Sequence, residues 1–268
     1  AVDLGGVIGG VDALSALNIN AEGGTGNIDV TNIGDGSPAK GVSGTVVLGN
    51  ANTGTLDLDG TNYDVGGITF GSNTLTFSGS TGNFETAGDI RFLGNVTING
   101  DMTFDSGGGD ITFDGTIVGT DGDETLVLDD GGTSGTITLS GNVGASDFIK
   151  SISIIGTDGI NLGSTIKLSN SAGGLIDLDG NVILTANTTL NSSANNGSVD
   201  ISGTINNQSG QSAKNLTITS GTGAVGLGST TAHIGTTTAL GSLTINDATG
   251  DGDGNIPLRG NIGSKGVS

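Results

Sequence analysis

Apolar and polar residues alternate in short runs along most of the chain. Around Leu56 and Leu58, and again around Ile137 and Leu139, single polar residues separate the apolar side chains. Because successive side chains of a β-strand point to opposite sides, this pattern predicts strands with one buried and one exposed side. No stretch shows the helical period of about 3.6 residues, so the sequence predicts almost no helix.

These strands recur within a short cassette of glycine, two apolar residues at alternate positions, an aspartate or serine, and a second glycine. Copies that start at 109 and 135 are 26 residues apart, and copies that start at 174 and 197 are 23 apart. A looser copy starts at 88, which is 21 residues before the one at 109. Such spacings are too long for tight hairpins and suit one coil of a solenoid. The copies occupy 54–60, 109–115, 135–141, 174–180 and 197–203.

The pattern therefore predicts an all-β fold, a right-handed parallel β-helix with about 20–26 residues per coil. We expect one continuous solenoid over residues 1–268. Glycine at the corners supplies positive φ without a steric penalty from a Cβ atom. The competing fold is an antiparallel β-sandwich, which would use Asn99-Gly100 and Asn196-Gly197 as hairpin turns.

A longer recurrence links the two ends of the chain. Residues 8–20 align without a gap to 234–246 with seven of 13 positions identical, at an offset of 226 residues. The similarity continues, so that 8–43 recurs as 234–268. This predicts one period of a longer tandem array, about ten coils and about 50 Å long at about 4.8 Å per coil. Chance similarity within a biased composition is the alternative.

Composition and charge exclude several classes of protein. With 54 glycines but only two prolines, the chain does not have the composition of collagen. The 27 acidic and seven basic residues give a net charge of −20, which disfavours nucleic acid and anionic membranes as partners. We expect no membrane insertion, because no apolar run approaches the roughly 20 residues of a spanning helix. Cysteine is absent, so disulfides contribute nothing to stability.

Three segments carry a resemblance to a known group of proteins: residues 151–163, 215–223 and 238–245. In these segments the chain resembles the repeat regions of filamentous-haemagglutinin-like adhesins and of related β-strand-repeat autotransporter passengers, which are giant bacterial surface proteins. The resemblance covers nearly the whole chain and implies export to the bacterial cell surface. It also implies a right-handed parallel β-helix that serves adhesion, fibres or the cell envelope. It supplies no active-site motif.

The residues needed for catalysis on such a scaffold are sparse. Enzymes that cleave polysaccharides need carboxylates together with basic groups and aromatic platforms. Here Arg91 and Arg259 are the two arginines, Tyr63 is the one tyrosine, and His233 has no candidate nucleophile motif beside it. The acidic pairs Asp57/Asp59 and Asp177/Asp179 each precede a corner glycine, so we interpret them as part of the corner. The sequence therefore predicts no enzyme and no cofactor, with calcium as the one candidate ligand.

Two acidic loops offer oxygen ligands for calcium. The first contains Asp247, Asp251, Asp253 and Asn255. The second contains Asp121, Asp123 and Glu124 and approximates one copy of the repeats-in-toxin nonapeptide, although no further copies follow it. Solvated acidic turns are the alternative interpretation of both loops.

The sequence thus predicts a non-catalytic extracellular structural protein: part of a bacterial surface fibre, stalk, adhesin or surface layer. Its partners would be further copies of itself, through tandem or head-to-tail continuation and lateral association into fibres. The alternative is an adhesion module that binds surface glycans or calcium, and a polysaccharide-acting enzyme is a distant third. Thr-x-Thr units such as Thr217/Thr219 suggest ice binding as a further function. They are too few and too irregularly spaced in the chain to predict a regular array.

Overall fold

The computed structural model describes residues 2–19, 26–34, 41–50, 53, 55–58, 63, 65–71, 74–77, 81–132, 134–163, 165–168, 174–228 and 233–246. These residues form 24 strands, numbered β1 to β24 along the chain, and a single 3₁₀ turn at Ser193–Asn195. Every strand pairing within them is parallel and joins one coil to the next. The predicted all-β parallel solenoid is therefore confirmed, and the antiparallel sandwich is excluded.

Each complete coil contributes strands to three faces, which the chain visits in the order A, B, C. β16 and β18 bend through the corner between faces B and C, so each belongs to both. Face A consists of β1 (Val2–Ile8), β3 (Ile28–Ile33), β5 (Leu56–Leu58), β7 (Thr74–Phe77), β10 (Asn95–Ile98), β13 (Ile117–Val118), β17 (Thr165–Lys167), β19 (Thr188–Asn191), β22 (Asn215–Thr219) and β24 (Ser242–Asn246).

Among the described residues, the first regular strand of face B is β8. It consists of β8 (Thr81–Glu85), β11 (Asp101–Asp105), β14 (Thr125–Asp129), the first halves of β16 (Ser151–Leu162) and β18 (Leu175–Leu184), β20 (Ser198–Ile201) and β23 (Val225–Leu227). Face C consists of β2 (Leu17–Ile19), β4 (Val42–Leu48), β6 (Val65–Phe70), β9 (Ile90–Phe92), β12 (Ile111–Phe113), β15 (Thr136–Leu139), the second halves of β16 and β18, and β21 (Ile205–Asn207).

The interior is one continuous column of apolar side chains from Ile28 to Leu240. In most strands the inward residues are buried and their neighbours are partly exposed, as in β15, where Ile137 and Leu139 are buried. Parallel, in-register pairing places each inward residue above its equivalent in the next coil. Because each coil buries its apolar edge mainly against its neighbours, stability is distributed along the axis.

Aromatic residues fill this column over part of its length only. On face C, Phe70, Phe92 and Phe113 lie in successive coils, with ring centroids 4.7 and 4.4 Å apart. Phe84 and Phe104 stand behind them on face B with centroids 5.8 Å apart. From Ile117 onwards the buried apolar side chains are aliphatic.

The length of a coil varies while the pairing stays in register. Paired strands between Leu75 and Ile205 follow each other at 20–26 residues, as predicted. Towards both ends the step is longer, with Leu17 paired to Val46 and Leu190 paired to Ile218. The predicted range was too narrow there, because the corners, and not the strands, take up the additional residues.

One corner loop occurs three times. In each copy an inward residue is followed by a glycine with φ between 66° and 68°, at Gly9, Gly144 and Gly235. A Cβ atom at Gly144 would lie 2.0 Å from the carbonyl oxygen of Lys167, so only glycine fits. The loop follows face A at Ile8 and Val143, but it follows face C at Ile234.

This corner loop contributes to the long sequence recurrence. Leu17 and Ile19 of the first copy lie in β2 on face C, whereas Leu243 and Ile245 of the second lie in β24 on face A. The two copies therefore form the same kind of corner loop, but the strands that follow it lie on different faces of the solenoid. The remainder of the second copy, 247–268, lies outside the described residues, and the 226-residue tandem period stays a prediction.

Asparagine and aspartate side chains at the starts of strands link neighbouring coils. The side-chain oxygen of Asn95 accepts a hydrogen bond from the backbone N–H of Thr116 (3.0 Å), one coil later. Gly135 and Asp158 form the one such bond that runs the opposite way, at 3.4 Å, among the residues described. These bonds give the abundant Asn and Asp residues a structural role. The acceptors of the common kind include Asn27, Asp89, Asn95, Asp101, Asp110, Asn142, Asn181, Asn187 and Asn196.

Candidate functional site

The predicted calcium loop at 119–124 forms the corner between β13 on face A and β14 on face B. Asp121, Asp123 and Glu124 each offer a carboxylate oxygen, and these atoms lie within 4.8 Å of one another. Asp121 and Asp123 are exposed, whereas Glu124 is buried. In the part of the chain that the structure describes, this is the one group of three or more such side chains close enough to share a metal ion.

The Glu124 carboxylate is held by the backbone of its own loop. Its Oε1 accepts hydrogen bonds from the N–H groups of Thr120 and Asp121 and from the Thr120 hydroxyl (2.8 Å). Its Oε2 accepts one from the N–H of Gly122 at 2.9 Å. Four donors already occupy most of the lone pairs of this carboxylate. Glu124 therefore closes the corner, and a hard cation would rely mainly on Asp121 and Asp123.

The second predicted calcium loop cannot be placed. Asp247, Asp251, Asp253 and Asn255 all lie outside the described residues. The same holds for Asp59 and for Arg259.

The acidic pair on face B belongs to a larger group of carboxylates. Asp177 is paired in register with Asp200 on the next coil, and Asp179 follows on the same side of β18. Partial burial raises the pKa of Asp177 above its ordinary value, and the charges of Asp200 and Asp179 raise it further. A hydrogen bond with Ser153 acts in the opposite direction. This environment disfavours the ionised form of Asp177 but brings no basic group to it.

The remaining candidates for chemistry lie apart from one another. Arg91 forms an ion pair with Asp114 of the next coil, at 2.8 Å on the surface of face C. His233 is half-buried at the end of a coil, and its backbone carbonyl accepts a hydrogen bond from the N–H of Ile205. Tyr63 is buried in the core, where its hydroxyl donates to the carbonyl of Val30. Together these residues form no acid–base or nucleophilic arrangement within the described chain.

Face A carries a regular array that sequence reasoning missed. Thr165, Thr189, Thr217 and Thr244 are paired in register on four successive coils. The threonines were predicted to be too irregularly spaced, but this column is regular, because spacings of 24, 28 and 27 residues in the chain become equal steps along the axis. The Thr-x-Thr units themselves form no array, since Thr136 and Thr138 lie on face C. Aligning the inward residues Ile166, Leu190, Ile218 and Ile245 would have revealed the array.

The first coil presents apolar side chains to solvent. Val7 is 52% exposed and Val11 is 86% exposed, and Val2 and Leu14 also belong to the exposed large hydrophobic residues. Among the described residues, β1 and β2 each pair with a strand on one side only. This end of the solenoid is therefore an open sheet edge with apolar surface around it.

None of the helical structure described is long and apolar enough to span a membrane. No protein-family model matches this chain, and neither the curated proteins nor the solved structures contain a match to it. The resemblance to bacterial surface adhesins therefore stays an expectation from the sequence.

Proposed function

We propose that this chain is a non-catalytic extracellular structural protein, a β-solenoid segment of a bacterial surface fibre, stalk, adhesin or surface layer. The observation that carries this proposal is the continuous apolar column, which runs through stacked coils to an open edge at β1 and β2. A solenoid of this kind acts as a spacer, because its length grows with every added coil. The separation of Arg91, His233 and Tyr63 from one another supports a role without catalysis.

The edge of β1 and β2 would pair with a further coil, supplied either by a continuation of the same chain or by a second copy. Strand edges with exposed N–H and C=O groups pair readily with other strands. The apolar residues Val2, Val7, Val11 and Leu14 surround this edge, so stacking another coil on it would remove them from water. Tandem continuation of the chain would satisfy the same edge.

Electron microscopy of the purified protein tests this proposal. Head-to-tail stacking predicts filaments with an axial repeat of about 50 Å, the length of about ten coils at about 4.8 Å each. Val7→Lys should abolish the filaments, because it places a charge at the edge. The matched control Leu93→Lys alters a residue of similar exposure, 47%, on the side of the solenoid and should leave them intact. Discrete particles from the unaltered protein would contradict head-to-tail stacking.

A calcium-dependent adhesion module is the second candidate, favoured by the cluster of Asp121, Asp123 and Glu124. Calcium would then raise the melting temperature of the unaltered protein. The double variant Asp121→Asn and Asp123→Asn would lose that increase, whereas Asp105→Asn on face B would keep it. Equal melting curves with calcium and with a chelator would exclude this site. Surface glycans are the partners expected for such a module.

A further inference from the structure

The outer side of face A forms a two-column lattice over its last four rungs. Thr165, Thr189, Thr217 and Thr244 form one column with a step of about 4.8 Å between coils. The second column lies two residues further along each strand, about 6.6 Å away, and includes Lys167 on the first rung, followed by Asn191 and Thr219. In-register stacking keeps both distances constant from coil to coil.

The hydroxyl groups of the threonine column remain available for water. Within the described structure, the hydroxyls of Thr165, Thr189, Thr217 and Thr244 take part in no hydrogen bond. Some outward hydroxyls elsewhere on the solenoid are engaged with protein. Thr138 on face C accepts from Asn161 at 3.2 Å, and Thr204 donates to Asn181 at 2.8 Å. Face A therefore presents its methyl and hydroxyl groups to solvent as a repeating set.

Face A changes in charge along its length: its first three strands stack Asp3, Asp29 and Asp57 in register, but the later strands are almost free of charge. The chain carries 27 acidic residues, yet none lies in the seven face A strands from β7 to β24. Lys167 is the one charged residue in those strands. Charged groups hold their own hydration shells, which disrupt an ordered water layer. Their concentration on other faces and corners leaves a neutral strip along one side of the solenoid.

We propose that this threonine and asparagine strip of face A binds ice. Oxygen atoms on a prism face of ice repeat at distances close to the two spacings of the lattice, so water ordered on the threonines would continue into the crystal. A flat polysaccharide is the less favoured occupant, because sugar rings stack on exposed aromatic side chains. Phe77, the one aromatic residue in these strands, points into the core.

Partition of the protein into a slowly growing ice front, together with inhibition of ice recrystallisation, tests this inference. The unaltered chain should enter the ice and keep the crystals small. Thr217→Lys should lose both effects, because a charged side chain interrupts the centre of the threonine column. Thr103→Lys is the matched control, since Thr103 is a half-buried outward residue of face B. It should behave as the unaltered chain.

Far-UV circular dichroism must show that the variants stay folded. Thr189→Lys, one coil away, provides the same test if Thr217→Lys unfolds. Exclusion of the folded unaltered protein from ice would overturn the inference, as would equal losses in Thr217→Lys and Thr103→Lys. Binding to insoluble cellulose or chitin without entry into ice would also overturn it and would assign the strip to a polysaccharide.

Discussion

Face A and face B are built on the same rungs and close the same apolar column, but their outer sides differ. From β19 to β24, face A presents neutral threonine and asparagine side chains, whereas face B stacks Glu85, Asp105 and Asp129 in register on consecutive coils. Asp105 and Asp129 each accept a hydrogen bond from a backbone N–H two residues later, at 2.8 Å. In a parallel solenoid each outward position is therefore repeated along the axis, so one residue type becomes a stripe of uniform chemistry.

The largest effect is expected where a charge enters the column that both faces share. Leu190→Asp in β19 should destabilise its coil by about 3–5 kcal/mol, because a carboxylate without a partner is buried between Ile166 and Ile218. The variant Thr189→Asp places the same group outward on the adjacent position and should stay folded. Limited proteolysis around residue 190 measures the difference, and equal resistance of both variants would contradict the assignment of inner and outer sides.

A smaller loss is expected at the corner that joins face A to face B. Gly144→Ala should cost about 3 kcal/mol, since its φ of 66° is unfavourable for alanine and the new Cβ meets the carbonyl of Lys167. Gly132→Ala measures the cost of the positive φ alone, because Gly132 has a φ of 75° but no atom lies within 4 Å of the position of a Cβ. That variant should lose only about 1–2 kcal/mol. Denaturant unfolding measures both values, and equal losses would argue against the steric clash.

The buried carboxylate at another corner between these faces should contribute less. Glu124→Ala removes the acceptor for the N–H groups of Thr120, Asp121 and Gly122, at a cost of about 2 kcal/mol. Hydrogen exchange of these amides should become faster. Asp123→Ala, which removes an exposed carboxylate from the same loop, should change stability by less than about 0.5 kcal/mol. Unchanged exchange in Glu124→Ala would show that the loop does not depend on this side chain.

The smallest effect concerns the repulsion on face B. The pKa of Asp177 is raised, so its ionisation weakens the folded state as pH rises above the ordinary value of 3.8. Asp177→Asn should therefore stabilise the protein by about 0.5 kcal/mol at pH 7, a gain that disappears at pH 3. The unaltered chain, melted at the same two pH values, is the reference. Thermal melting at both pH values tests this, and an equal gain at pH 3 would refute it.

Much of this fold follows from the alternation of residues. The pairs Ile137/Leu139 and Ile176/Leu178 point inward as predicted, because burial constrains them in every coil. The lattice on face A escaped prediction because corner loops vary in length, so residues that are neighbours in space lie at unequal intervals in the chain. Glu124 was predicted as a calcium ligand because it lies in an acidic loop that approximates the repeats-in-toxin nonapeptide. Its four hydrogen bonds come from a loop conformation that the sequence pattern does not specify.

The hydrogen bonds between asparagine or aspartate side chains and the next coil make the two ends of the solenoid chemically different. Asn95, Asn142 and Asn181 each offer an acceptor to the coil that follows them in the chain. A coil added after them meets acceptors that are already in place, whereas one added before them must bring its own. The two ends of the stack therefore differ, because one offers side-chain acceptors and the other offers backbone N–H donors.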